Sequence, residues 1–189
     1  MILPIVAYGD PVLKKEAAEI DKNYEGLQQL ISDMFETMYN ANGVGLAAPQ
    51  IGKSIRLFVI DAAPFAEDGE EGTEMLKDFK KVFINAEILE EEGEEWGFNE
   101  GCLSIPGIRE EVFRNETLVI KYFDENFKAH KEKYDGYAAR IIQHEYDHIE
   151  GILFTDHISM LRKKMLKRKL EEISKGEVDV AYKMRFPKR

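Results

Sequence analysis

Two histidines four residues apart, His144 and His148, are the strongest chemical signal in the chain, and Glu145 directly follows the first. On an α-helix a four-residue step returns to nearly the same face, so both imidazoles can point at one metal ion. Ordinary partly buried histidines would be the alternative interpretation. The apolar residues just before them favour a core-facing helix and therefore a metal site; they are Ala138, Ala139, Ile141 and Ile142.

A catalytic metal normally has three protein ligands and one open position, so a third ligand is needed. Phe154 occupies the position, six residues after the second histidine, where a third histidine could complete the site. His157 is predicted to lie beyond the helix as a surface or capping residue. Glu171 and Glu172 lie among lysines and arginines, which indicates a solvated face. Cys102 could ligate as a thiolate, although a lone cysteine is also commonly a small buried hydrophobic residue.

The elements that must position these residues predict an α+β fold, with mostly antiparallel strands packed around a central helix that carries the H-E-x-x-H motif. Glycine and asparagine signals end several elements. In order, we predict an amphipathic helix over 23–43, a loop over 43–52, strands over 55–61 and 82–90, a hairpin over 117–134, the histidine helix over about 135–151, and a C-terminal helix over about 158–174. The expected apolar stripe of the last helix is Met160 or Leu161, Met165, Leu166, Leu170 and Ile173.

The composition indicates one catalytic domain over residues 1–189, with 44% hydrophobic and 33% charged residues. Residues 62–81 read as an exposed acidic insertion. The single cysteine excludes an internal disulfide and fits a reducing compartment. There is no apolar run of membrane-spanning length and no signal-peptide pattern, so we expect a cytoplasmic protein. A net charge of −10 argues against general nucleic-acid binding, and we expect a monomer.

Three separated segments together resemble the signature motifs of the peptide deformylases, in that family's order: GVGLAAPQIG at 43–52, EGCLS at 100–104 and QHEYDH at 143–148. The resemblance implies a hydrolase that removes the formyl group from the N-terminal formylmethionine of new polypeptides and releases formate. It also implies that Cys102, His144 and His148 hold one divalent metal ion, with water at the fourth position. Fe2+ is the expected native ion, while Zn2+, Ni2+ or Co2+ also suit such ligands.

The resemblance also implies roles for the neighbouring residues. Glu145 would act as general base towards the metal-bound water and then as acid towards the leaving amine. The side-chain amide of Gln50 and the backbone N–H of Leu103 would stabilise the charge on the formyl oxygen. Glu100 would pair with Arg140 or brace a metal ligand. The expected substrate contacts are the backbone of Gly45 and a methionine pocket formed by Val44, Phe98, Tyr137, Arg140 and Ile141.

The sequence leaves open one possible partner and two alternative functions. The last helix carries a basic segment that is either a solvated face or a contact with ribosomal RNA; its cations are Arg162, Lys163, Lys164, Lys167, Arg168 and Lys169. A metalloendopeptidase using His144, His148 and Glu172 is one alternative function. A non-catalytic metal or peptide-binding module is the other, and it would need a fourth protein ligand.

Overall fold

The computed structural model describes residues 1–188, which form two sheets and four α-helices. The strands are β1 (Ile5–Val6), β2 (Gly45–Ala47), β3 (Leu57–Asp61), β4 (Lys80–Cys102), β5 (Ile105–Phe123), β6 (Ala129–Asp135) and β7 (Met184–Arg185). The helices are α1 (Leu27–Asn40), α2 (Ala63–Glu67), α3 (Gly136–Ile149) and α4 (Met160–Ser174).

The larger sheet is antiparallel throughout, with the strand order β2-β3-β4-β5-β6. Its two longest strands, β4 and β5, form a hairpin that ends where Cys102 pairs with Ile105. The smaller sheet is a parallel pair of β1 and β7. The expected α+β fold with mostly antiparallel strands is therefore confirmed, and the hairpin turn places the cysteine at the tip of a long ribbon.

Helix α3 is held in the core by the sheet that surrounds it. On β5 the side chains alternate between the core and solvent, so Leu118 and Ile120 point to the same side. They share one apolar cluster with Ala139 and Ile142 of α3. Because the opposite end of the helix also packs, through Ile149, the whole helix is fixed relative to the strands.

Two segments differ from the expectation drawn from the sequence. Residues 43–52 are not a plain loop: β2 pairs with β3, and a short 3₁₀ turn follows at Ala48–Ile51. A three-residue strand is too short to leave a periodic pattern. The acidic segment 62–81 is not fully exposed either, because it contains α2 and inserts Leu76 and Phe79 into the core.

The prediction of a buried apolar stripe on the C-terminal helix was wrong for the first half of the helix. Leu166, Leu170 and Ile173 are buried, but the three earlier members, Met160, Leu161 and Met165, are 61–70% exposed. Helix α4 begins at Met160, capped by the Ser159 side chain, and only its later turns reach the core. None of the helices formed by residues 1–188 has both the length and the apolar content that crossing a membrane requires.

A side chain added at Gly151, which follows the histidine helix, is predicted to destabilise the fold. Its φ is +74°, and an added Cβ would lie 2.8 Å from the backbone carbon and oxygen of Lys14. Gly151→Ala should therefore cost about 2 to 4 kcal/mol in the free energy of unfolding, from strain plus overpacking. Urea unfolding measures this cost.

The matched control is Gly136→Ala at the other end of the same helix. Gly136 also has a positive φ, +54°, but nothing lies within 4 Å of an added Cβ. It should cost only about 1 kcal/mol, the conformational part alone. Equal losses for the two variants would contradict the packing argument.

Candidate metal centre

One cysteine and two histidines converge between the tip of the β4–β5 hairpin and α3. The Sγ atom of Cys102 lies 3.4 Å from Nε2 of His148, and the two imidazole rings have centroids 5.3 Å apart. One donor atom from each of Cys102, His144 and His148 lies within 4.8 Å of the others. Within residues 1–188, no other group of three or more Cys, His, Asp or Glu side chains meets this condition.

The donor set fits a divalent metal ion. Metal–sulfur and metal–nitrogen bonds of about 2.3 and 2.1 Å at a tetrahedral angle place their donors about 3.6 Å apart. The observed 3.4 Å between Cys102 Sγ and His148 Nε2 is close to this spacing. Burial, followed by the charge of His144, lowers the pKa of His148 well below its ordinary value. A low pKa favours the neutral imidazole, which is the form that binds a metal ion.

The competing ligands lie elsewhere. Glu172 forms an ion pair with Arg168 on the exposed side of α4. His157 hydrogen-bonds Asp147 at 2.8 Å, and Asp147 in turn pairs with Arg114. Neither belongs to the group of three donors. The arrangement that a Glu172-dependent metallopeptidase would require is therefore not formed.

A single buried carboxylate connects the metal centre to the rest of the structure. Glu100 is 4% exposed, and its Oε1 accepts a hydrogen bond from Nδ1 of His144 at 2.9 Å. Arg114 reaches both carboxylate oxygens, at 2.8 and 3.1 Å, and Arg140 donates to Oε2 at 2.9 Å. Burial alone would raise the pKa of Glu100, but the hydrogen bonds from His144 and Arg114 hold it well below its ordinary value. With Nδ1 engaged in this way, Nε2 of His144 is the nitrogen left available for a metal ion.

Glu145 lies beside the metal ligands in a space that a glycine leaves open. A Cβ added to Gly45 would lie 2.6 Å from Oε1 of Glu145, so no larger residue fits there without moving the carboxylate. The other oxygen, Oε2, is buried without a hydrogen-bond partner among residues 1–188. Burial raises the pKa of Glu145 to about 7, opposed by the charge of His144.

Gln50 both anchors its own loop and faces the metal ligands. Its Oε1 accepts a hydrogen bond from the backbone N–H of Ala47 at 3.0 Å. Its Nε2 lies 3.4 Å from Cys102 Sγ and 3.2 Å from Ser104 Oγ. The first contact fixes the direction of the amide, so the N–H groups point into the site.

A cleft of about 710 Å³ opens onto this centre and contains most of the residues expected to bind substrate. The predicted substrate-binding residues in the cleft are Val44, Gly45, Phe98, Glu100, Arg140 and Ile141. The cleft is also lined by the predicted catalytic residues Gln50, Leu103 and Glu145 and by two of the candidate metal ligands, Cys102 and His144. Arg140 is only 2% exposed, and its guanidinium lies 4.5 Å from the centroid of the Trp96 ring. The positive charge of Arg140 therefore interacts with other groups of the protein rather than with solvent.

Tyr137 does not line the cleft as the sequence led us to expect. Its ring packs against Phe98 with centroids 5.7 Å apart, and its hydroxyl donates to Glu70 at 2.8 Å. Its position at the first turn of α3 carries it past the cleft to the acidic segment. That segment instead contributes Phe65 to the cleft wall, with a centroid 6.4 Å from that of Phe98.

The sequence also did not identify Arg114 or Tyr182. Arg114 lies in an alternating strand, where an arginine ordinarily faces solvent, and only its inward register would have revealed it. Tyr182 lies far along the chain from the three motifs, and its hydroxyl donates to the Leu103 carbonyl at 2.7 Å.

Comparisons with known proteins agree on one family. Residues 2–164 match the family model described as polypeptide deformylase. Peptide deformylase from Christiangramia forsetii is 62% identical over 99% of this chain and 97% of its own length. The enzyme from Flavobacterium psychrophilum is 56% identical over the full length of both. A crystal structure of a Legionella pneumophila peptide deformylase superposes with a TM-score of 0.79 at 41% identity, covering 94% of this chain and 98% of that one.

Removing the charge of Glu100 should loosen the metal centre. In Glu100→Gln the His144 ring loses its anionic acceptor, Arg140 loses its counter-charge and Arg114 keeps only Asp147. We expect about 10- to 100-fold weaker metal binding and a loss of about 3 to 5 kcal/mol in the free energy of unfolding. Metal competition with a chelator and urea unfolding measure the two effects.

Glu110→Gln is the control for that variant. Glu110 is a carboxylate on β5 that pairs with Arg162 of α4 rather than with a metal ligand. It should retain metal as the unmodified protein does. Equal metal loss from both variants would show that Glu100 does not support the site specifically.

Proposed function

Because the chain belongs to the polypeptide deformylase family, we propose that Cys102, His144 and His148 hold its catalytic metal ion. The family's enzymes remove the formyl group from the N-terminal formylmethionine of nascent chains and depend on a metal. The observation that carries the proposal is the convergence of the three donor atoms beside the buried carboxylate of Glu145. We further propose Fe2+ as the native ion on the family resemblance, because the ligand set itself also suits Zn2+, Ni2+ and Co2+, and we propose the cytoplasm as the site of action.

The residues around the ion divide the chemistry of amide hydrolysis among them. When bound, a divalent ion lowers the pKa of coordinated water and polarises the carbonyl oxygen of the substrate. Glu145 accepts the proton of the attacking water and then delivers it to the leaving amine. The Gln50 amide and the Leu103 N–H donate to the oxygen on which negative charge develops. The products are formate and a free N-terminal methionine.

The cleft can accommodate an extended peptide. Strand β2 pairs with β3 along one edge only, so the Gly45 backbone on its other edge can bind the substrate as an added strand. Val44, Phe98 and Ile141 then form an apolar wall for the methionine side chain. Glu100 and the charge of Arg140 brace this wall from behind rather than contact the substrate.

Two substitutions separate the roles of base and ligand. Glu145→Gln should keep its metal but lose about 10²-fold or more of kcat, because the group that accepts the proton is gone. Cys102→Ala should lose both metal and activity, because only two ligands remain. Formate release from formyl-Met-Ala and metal analysis of protein purified without air measure both variants. The unmodified protein should contain about one iron ion per chain and lose activity in air.

The same two variants exclude the competing functions. A metallopeptidase that used Glu172 would still cleave internal peptide bonds after Cys102→Ala. A closed structural metal site would lose little on Glu145→Gln. An unmodified protein that releases no formate when loaded with iron would contradict the proposed reaction itself.

We also propose that the basic side of α4 contacts ribosomal RNA, which would hold the enzyme near emerging chains. Lys164, Lys167 and Lys169 are exposed and pair with no carboxylate among the described residues. By contrast, Arg162 and Arg168 already pair with Glu110 and Glu172. The three lysines therefore offer uncompensated charge to phosphate groups.

Reversing these three charges should abolish co-sedimentation with ribosomes while leaving formate release unchanged. Binding by the unmodified protein should also fall steeply as salt is raised from about 50 to 200 mM. The control is reversal at Lys15, Lys22 and Lys53, which are exposed lysines outside α4. Binding that ignores salt, or that falls equally in the control, would contradict the proposal.

A further inference from the structure

The chain beyond α4 returns to the metal centre. It pairs with β1 through hydrogen bonds from the Ile5 N–H to the Lys183 carbonyl and from the Ala7 N–H to the Arg185 carbonyl, both at 2.9 Å. This pairing brings Asp179, Val180 and Tyr182 to the rim of the cleft. The whole segment lies outside residues 2–164, the part that matches the family model.

The returning segment makes one polar contact with the turn that carries the cysteine. The Tyr182 hydroxyl donates to the backbone carbonyl of Leu103 at 2.7 Å. The next carbonyl, that of Ser104, accepts from the N–H of Tyr8 at 2.9 Å. Tyr8 lies two residues after the end of β1, the strand that pairs with the returning segment. Two successive carbonyls of the turn are therefore held from the same side.

These contacts act on the turn that joins the two strands of the β4–β5 hairpin. Cys102 pairs with Ile105, which leaves Leu103 and Ser104 as a two-residue turn. Type I and type II turns differ by a rotation of their central peptide group. In this turn that group contains the Leu103 carbonyl, so the bond from Tyr182 opposes the rotation. In the proposed function Leu103 also supplies the N–H that donates to the substrate oxygen, and this N–H lies on the other side of the same Cα from the carbonyl that Tyr182 holds.

We propose that Tyr182 is a positioning residue for the reaction, holding the Leu103 backbone so that its N–H meets the oxygen that becomes negatively charged. The inference rests on the proposed function, in which Leu103 supplies this donor. Catalysis is sensitive to such placement, since a displacement of about 1 Å can cost about 10²-fold in rate. Tyr182 is not one of the three candidate metal donors, and it acts through the turn.

The test compares two variants that each remove one tyrosine hydroxyl. In Tyr182→Phe the ring is kept and the bond to the Leu103 carbonyl is lost. Tyr122→Phe is the matched control, because the Tyr122 hydroxyl donates to Glu132 at 2.5 Å on the β5–β6 hairpin. Both variants lose one tyrosine hydrogen bond, and only the first loses a contact with the cysteine turn.

We expect Tyr182→Phe to lower kcat about tenfold, because complete loss of such a donor costs about 10²- to 10³-fold and here the donor is only misplaced. KM for formyl-Met-Ala and the metal content should stay within about twofold of the unmodified protein. Amide hydrogen exchange in a fragment spanning residues 103–105 should become faster. Tyr122→Phe should leave kcat and this exchange rate unchanged.

A Tyr182→Phe enzyme with unchanged kcat would overturn the inference while leaving the proposed function intact. So would a fall in kcat that accompanies loss of metal, or one that Tyr122→Phe reproduces, because either would indicate a general structural role. If the unmodified, iron-loaded chain releases no formate, the proposed function fails, and the inference fails with it.

Discussion

The buried carboxylate of Glu100 between two arginines and a histidine is the interaction on which the metal centre depends. It joins β4, β5 and α3, because Glu100, Arg114 and Arg140 come from these three elements in turn. Glu100 lies two residues before Cys102, so the same contacts that fix the helix against the strand also set the distance between sulfur and imidazole. An isolated buried charge would be costly, but here each charge has a partner, since Arg114 also pairs with Asp147.

This network also explains why the two imidazoles are not equivalent. His144 has its ring orientation fixed by a hydrogen bond to an anion, which increases the electron density that its other nitrogen can donate. His148 has no hydrogen-bond partner for Nδ1 among residues 1–188, and its ring is held by packing within the core. Loss of the Glu100 hydrogen bond therefore acts directly on the orientation of one ring, while changes in core volume act on the orientation of the other.

The two histidines were predictable from the sequence because their spacing is local, whereas Cys102 was assigned only through the family resemblance. A four-residue spacing on a helix places His144 and His148 together whatever surrounds them, and the apolar pattern correctly indicated α3 and the β5–β6 hairpin. What the sequence could not show depends on direction or on distant pairing. Tyr137 shares a helix with the ligands but points past the cleft. Strands β1 and β7 have two residues each, too few to form a pattern, although their pairing brings Tyr182 to the site.

The long-range contacts also explain how a candidate metal ligand can lie beside a hairpin turn, as Cys102 does at the end of β4. Turns are usually the more mobile parts of a fold, whereas a ligand must be held to within a fraction of an ångström. In this chain the turn after β4 is held by the Gln50 side chain, the Tyr8 backbone and the Tyr182 hydroxyl, which come from three separate segments. The pairing of β1 with β7 unites two of these contacts. The precision of the metal centre therefore depends on both chain termini, and not only on the helix and hairpin that supply its ligands.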